Sequence, residues 1–502
     1  MVEASENRAA DFICKAGIAL AGLLGLGTLV RLVFVRSYNY DELSHAHLTW
    51  LVSIGEVPYR DFAANHFPFL WILLSPVMWV LPASPAALMV LRGLALALNL
   101  VFLAAIGLLI CAEQQPRERI WAIICFGLFA FSPPAMHFLI EFRPDAIANA
   151  VLFSILAYLR FRGLPGPATA VLSGLGIGSA LLINTKYELF PLVMGVVALV
   201  MYFRQLKQFW PGALALVLGL STAIAGGVLL MMALGISPGN AWRMVVTYNV
   251  LVEQSHTFGH GLVHTIIRHP VWLAYGVAGG IVCLTLFLWQ RRTPELFISA
   301  IFIFLILDLF TATRPWKQYA VSWLLLAAVL PARSLPLLLV RLRPTVQAAV
   351  AIITLVIVVV AMARITTNDP DAPSLDRQSQ DQMIRWASRE VSPDAFVVAD
   401  LTLHPIFRRD SFFKVVFDLT TDGSDGLERF LPGLVVPANA EFFQTSGYVK
   451  ELDIRPPAMI VPKGMYTDTQ VQVLNAWVAG TTNAYEQVVI PGTEVTVLKR
   501  AP

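Results

Sequence analysis

Two acidic motifs stand out in a chain otherwise poor in charge, Tyr40-Asp41-Glu42 and Glu141-Phe142-Arg143-Pro144-Asp145, each beside a long apolar run. A carboxylate in such a place has two uses. It can cap the helix that follows and satisfy its first N–H groups, or it can be a fixed group for proton transfer. Asp145 comes directly after Pro144, which suits a first helical turn, and an acid there meets the positive end of the helix dipole. The two uses are compatible, since a capped carboxylate is better held for catalysis. His256, His260 and His264 recur every four residues, a spacing that can hold a metal on one helical face. Gly259 and Gly261 argue against a stable helix there, so an outer loop is the preferred reading.

The elements that must position these groups are membrane spans. The chain has 502 residues, 57% hydrophobic and only 14% charged, against about a quarter charged in ordinary soluble domains. A net charge of +3 is too small to indicate nucleic acid. The start, Met1 to Asp11, is polar and runs into an apolar stretch long enough to span and stay, so no cleavable signal is expected. The four cysteines, Cys14, Cys111, Cys125 and Cys283, show no metal-ligand spacing. Apolar runs of spanning length fall near 13–35, 86–111, 120–137, 145–161, 168–184, 188–203, 210–235, 271–290, 296–312, 319–338 and 345–363. A further run, Phe67 to Leu81, is short and bounded by Pro68 and Pro82.

Whether that run crosses sets the side of everything after it. If it lies along the interface, the cytoplasmic loops collect Arg117 and Arg119, Arg160 and Arg162, Arg204 and Lys207, Arg291 and Arg292, then Arg333, Arg341 and Arg343. Short cytoplasmic loops are enriched in basic residues, so the expectation is about eleven spans, N-terminus inside and C-terminus outside. All 9 histidines and both acidic motifs then lie on the outer side or at the outer ends of spans. Arg36 and Arg268 read as side chains snorkelling outward to headgroups. Asp308, inside the ninth span near its outer end, is a functional candidate on desolvation cost alone. From residue 365 the composition turns ordinary. Asp381 to Glu390 and Thr467 to Val478 read as helices, Ala395 to Ala399 and Ala458 to Val461 as strands, and Gln487 to Ile490 with Glu494 to Leu498 as a hairpin. The expected architecture is a polytopic α-helical membrane module, 1–364, with a small extracytoplasmic α/β domain, 365–502.

The acidic pair after the first span, the amphipathic run Leu43 to Ile54, Asn65-His66-Phe67-Pro68 opening a short apolar helix, and Glu141-Phe142-Arg143-Pro144-Asp145 occur in an order that resembles the GT-C glycosyltransferase superfamily. The likeness is greatest to the branch with protein O-mannosyltransferases, aminoarabinose transferases and the galacturonosyltransferases of lipopolysaccharide cores. It covers residues 13 to 200 by motif and the rest by layout. His-Pro-Pro or Lys-Pro-Pro is usual in that branch where this chain has His66-Phe67-Pro68.

The resemblance implies a membrane enzyme that moves a sugar from a polyprenyl-phosphate donor to a hydroxyl of a glycolipid, envelope glycan or protein on the periplasmic or outer face. It implies Asp41 as general base, with Glu42 and Asp145 positioning it, the acceptor or a divalent cation; a cation held by Asp41 and Asp145 is an option. Candidate cations for the donor phosphate are Lys186, Arg314, Lys317, Arg60 and Arg143, and candidate substrate-positioning residues are His66, Tyr40 and Glu141. One base and direct displacement gives inversion at the sugar carbon. The main rival is a transporter or flippase for a lipid-linked glycan, which would favour repeated halves and charges near the midplane. An O-antigen-ligase-like enzyme would lack the early Asp-Glu loop, and a catalytically dead scaffold would not need intact Asp41 and Asp145.

Overall fold

The computed structural model describes residues 2–62, 64–112, 114–162, 166–184, 206–247, 270–290, 328–367, 376–399, 402–409, 452–453, 456–462 and 468–501. It is mostly helical. In chain order the helices are α1 (Val2–Val35), α2 (Tyr40–Ser53), α3 (Phe69–Val80), α4 (Pro85–Cys111), α5 (Pro116–Ala130), α6 (Pro133–Leu139), α7 (Pro144–Arg162) and α8 (Pro167–Ile183). There follow α9 (Leu206–Ala233), α10 (Pro238–Trp242), α11 (Pro270–Gln290), α12 (Pro336–Leu339), α13 (Pro344–Thr367), α14 (Arg377–Glu390) and α15 (Asp468–Gly480). Among the described residues, four helices are long and apolar enough to cross a membrane, within α1, α4, α9 and α13.

Proline marks many of the helix starts, at the first-turn position where a missing N–H is no loss. It also breaks one expected element. The run 120–137 was expected as one span, but α5 ends at Ala130 and α6 starts at Pro133. Pro133 and Pro134 cannot supply the N–H groups that would continue the ladder. α3 has 12 residues, about 18 Å of helix, which is short of the ~30 Å hydrocarbon core.

α4 packs on α7, α1 on α13, and α8 on α9. The last pair is the tightest. A methyl placed on Gly174 would sit 2.0 Å from the Leu216 carbonyl oxygen, and one on Gly219 would sit 2.1 Å from that of Val171. Small residues let the two backbones touch, the packing that apolar side chains alone cannot give inside lipid.

Beyond α13 the described residues form a four-stranded sheet in the order β1-β2-β4-β3. β1 (Val397–Val398) runs parallel to β2 (Met459–Ile460), and β4 (Thr496–Arg500) pairs antiparallel with both β2 and β3 (Tyr485–Val489). The expected helices and closing hairpin are present with shifted ends, and the two expected single strands shorten to two residues each. Met383 and Ala387 of α14 pack on this sheet, whereas Leu474 and Trp477 of α15 join a separate cluster with Val398 and Ile460.

Candidate functional site

The N-terminus of α2 is built as a capping box. Asn39 accepts from the Glu42 N–H at 3.0 Å, and the Glu42 carboxylate accepts from the Asn39 N–H at 3.2 Å. Glu42 therefore does the capping that the acidic pair suggested. It does more than that, because Arg92 of α4 grips both its oxygens, Nε to Oε1 at 2.7 Å and Nη2 to Oε2 at 2.6 Å. The Phe142 N–H adds a further bond at 3.3 Å. Arg92 spends its remaining donors on the carbonyls of Arg36 and Ser37 at the end of α1. Burial opposes ionisation of Glu42, but the Arg92 guanidinium overrides it and holds the carboxyl below its ordinary range.

A second buried pair lies alongside. Arg36 donates to Glu141 at 2.6 Å and to the His137 carbonyl. The expectation that Arg36 snorkels outward is corrected: the side chain turns inward because Glu141 offers it a buried carboxylate. Burial pushes the Glu141 carboxyl up and the Glu42 charge adds to this, while Arg36 and Arg143 pull it down. Burial likewise pushes the Tyr38 phenol well above its ordinary value, so it stays neutral.

Arg143 joins the two motifs. Its Nη1 lies 2.9 Å from Asp41 and 3.6 Å from Glu141, and its Nε lies 3.3 Å from Asp145. Asn184, the residue after α8, donates to the other Asp145 oxygen at 3.1 Å. Asp41 from α2 and Asp145 from α7 thus meet on one guanidinium. Their side chains are each 18% exposed, against 2% for Glu42 and 1% for Glu141. Among the described carboxylates of this network, the two aspartates keep the more accessible face.

Arg143 is engaged by carboxylates. Arg60 pairs with its neighbour Asp61 at 2.7 Å on an exposed turn. Tyr40 is the first residue of α2, beside Asp41. The His66 carbonyl accepts from the Tyr59 hydroxyl, and its ring lies 5.2 Å from that of His45. His45 itself accepts from the Trp71 indole at 3.3 Å, so α3 and the loop before it pack on α2. Lys186, Arg314 and Lys317 lie outside the described residues, as do Asp308 and His256, His260 and His264.

A resident divalent metal would have to use Asp41 and Asp145, the two accessible carboxylates of the network. Among the described residues no group of three or more His, Cys, Asp or Glu side chains could hold one. Arg143 already stands between the two aspartates, so a divalent ion would have to displace its guanidinium and complete its shell with waters or phosphate oxygens.

Sequence reasoning missed Arg92 and Asn184. Arg92 carried a signal, since a charge inside an apolar span, here about two turns from its start, is costly unless it has a buried partner. Asn184 carried none.

Compared by sequence, the chain matches no protein-family model and no curated protein. Compared by structure, it is similar to ArnT from Cupriavidus metallidurans bound to undecaprenyl phosphate, with a TM-score of 0.59, 14% identity and 97% of each chain covered. It is also similar to the Archaeoglobus fulgidus oligosaccharyltransferase tethered to an acceptor peptide, with a TM-score of 0.56 and 13% identity over 97% of this chain and 74% of that one. The same archaeal enzyme with an inhibitory peptide and a dolichol-phosphate gives 0.57 and 14% over the same shares. The chain shares the fold of these solved structures.

Proposed function

We propose that the chain is a glycosyltransferase that takes a sugar from a polyprenyl-phosphate carrier and joins it to an acceptor hydroxyl at an extracytoplasmic membrane face. The observation that carries this reading is the convergence of Asp41 and Asp145 on Arg143, the accessible end of an otherwise buried ion network. The fold is shared with a transferase seen with undecaprenyl phosphate and one seen with dolichol-phosphate, which supports a lipid-borne donor.

In this reading Asp41 accepts the proton of the acceptor hydroxyl as the new C1–O bond forms on one face of the sugar. The bond from C1 to the phosphate oxygen breaks on the other face, and the phosphate leaves on its lipid with the bonding electron pair. The sugar carbon inverts. A hydroxyl is too weak an acid to be deprotonated beforehand, so the base acts as charge develops, a contribution of about 10²–10⁴-fold. Asp145, fixed by Arg143 and Asn184, positions Asp41 through their shared guanidinium. Glu42 and Glu141 are held by Arg92 and Arg36 and position the loop. His66 and Tyr40 border the acceptor, whereas the buried Glu141 does not reach it, and Lys186, Arg314, Lys317 and Arg60 serve the phosphate. Arg143 supplies the positive charge between the aspartates, and a divalent cation there would have to displace it. Residues 1–364 form the membrane module, N-terminus cytoplasmic, and 365–502 the outer domain.

Purified protein incubated with radiolabelled polyprenyl-phosphate sugars and candidate glycolipid, glycan and protein acceptors tests this directly. Label moving to an acceptor supports transfer. Label that crosses a vesicle membrane still on its lipid supports a flippase instead.

A further inference from the structure

The loop that carries Asp41 is held from two sides, and the second side belongs to the C-terminal elements. The Gln380 amide of α14 bridges Tyr38, accepting from its N–H at 2.7 Å and donating to its carbonyl at 3.0 Å. The same amide nitrogen donates to the Thr402 carbonyl at 3.1 Å. Two guanidiniums pack on the Tyr38 ring, Arg92 at 4.4 Å and Arg377 at 3.9 Å. Arg377 is held in turn by Asp381 at 2.9 Å and donates to the Val33 carbonyl at the end of α1. Tyr38 lies just ahead of Asn39, the cap of α2, and three residues ahead of Asp41.

α14 is patterned for this task. Arg377, Gln380 and Ile384 recur at i, i+3 and i+7 on one stripe, and Ile384 belongs to the core of the helical bundle. Met383 and Ala387 form a second stripe in the core of the sheet. A loop beside α14 makes a further contact with α2, with His404 against His47 at 5.9 Å and Phe407 edge-on to Trp50 at 6.1 Å. Ile406 and Phe407 adopt φ of 36° and 52° there, a conformation that costs side-chain-bearing residues energy and persists where packing enforces it. Both are buried in the bundle core. Arg408, also buried, donates to the carbonyls of Ala387, Val391 and Ser392 at the end of α14 and so ties loop to helix.

We propose that the C-terminal elements form a clamp on the catalytic loop, with Gln380 and Arg377 as positioning residues that hold the Tyr38 backbone and ring so that Asp41 keeps its place beside Arg143. The proposal rests on the glycosyl-transfer reading for its catalytic part, whereas its mechanical part stands on the contacts alone. The hydrogen-bonded half of the clamp acts on main-chain groups of Tyr38, so replacing the Tyr38 side chain removes only the ring contacts. Gln380→Ala removes the hydrogen bonds.

The test uses the full-length protein in lipid nanodiscs, comparing wild type, Gln380→Ala, Arg377→Lys and Arg385→Ala. Two quantities are read: radiolabelled sugar transfer, and amide hydrogen exchange over Tyr38 to His45. For Gln380→Ala, exchange in that segment rises about tenfold and kcat falls about tenfold, while the donor KM stays within about twofold. Arg377→Lys keeps the charge but loses the flat guanidinium over Tyr38, and it moves both quantities the same way by a smaller factor. Arg385, exposed on the same helix, changes neither when replaced. Unchanged exchange in Gln380→Ala overturns the clamp, and so does raised exchange with wild-type kcat. If Gln380→Ala does not fold, Arg377→Lys decides by the same criteria. A wild type that transfers no sugar defeats the transfer reading, while the exchange result still decides whether the loop is clamped.

Discussion

Asp41 and Asp145 differ from Glu42 and Glu141 in one respect on which the proposed role rests: they keep a face open. A carboxylate whose oxygens are all engaged by buried donors, as Glu42 is, can support structure but cannot take a proton without breaking its own bonds. Asp41→Asn should therefore lower turnover by about 10²–10⁴-fold with folding intact, read from transfer rate and thermal unfolding of the same preparation. Glu42→Gln should behave differently. It leaves the buried Arg92 charge uncompensated, and removing one partner of a buried pair costs about 3–5 kcal/mol. Its unfolding temperature should fall with its activity, whereas a stable but inactive Glu42→Gln would mean that Glu42 itself meets substrate. The acidic motifs were legible in the sequence because carboxylates are rare in an apolar chain. The sharing of Arg143 was not, because a side chain that joins residues 41 and 145 is visible only once α2 and α7 are packed.

The elements place these residues by close approach. α8 ends at Ile183, and the next residue, Asn184, reaches Asp145. α8 is in turn seated on α9 through Gly174 and Gly219. Gly174→Leu forces the backbones apart, since even its Cβ would meet a carbonyl oxygen at 2.0 Å. Its unfolding midpoint should drop by several degrees, roughly the effect of 1–3 kcal/mol. Gly226→Ala, with nothing within 4 Å of the added methyl, should shift it little. Equal midpoints for the two variants would contradict the close packing. Hydropathy located the apolar helices because a span needs about 20 apolar residues whatever its neighbours. It could not show that α5 and α6 part at Phe131 and Ser132, where the two prolines that follow outweigh an unbroken apolar pattern. The two-sided burial of α14 was also hidden, since its polar stripe of Arg377 and Gln380 reads as a solvated face until Tyr38 is set against it.

At the scale of the whole molecule, a helical bundle and a small sheet meet around one loop, and charge balance at that meeting point is supplied by arginines. With Arg143 between the aspartates, a chelator such as EDTA should leave transfer unchanged. A loss of about tenfold or more that added divalent metal restores would place a cation in the site. The measurement that tests the account most directly is a structure of the protein with a polyprenyl phosphate bound. The account predicts the lipid phosphate beside Asp41 and Asp145, close enough for a sugar carbon to lie between it and the Asp41 carboxylate. A phosphate seated at the opposite end of the bundle, with Asp41 and Asp145 facing no ligand, would contradict it.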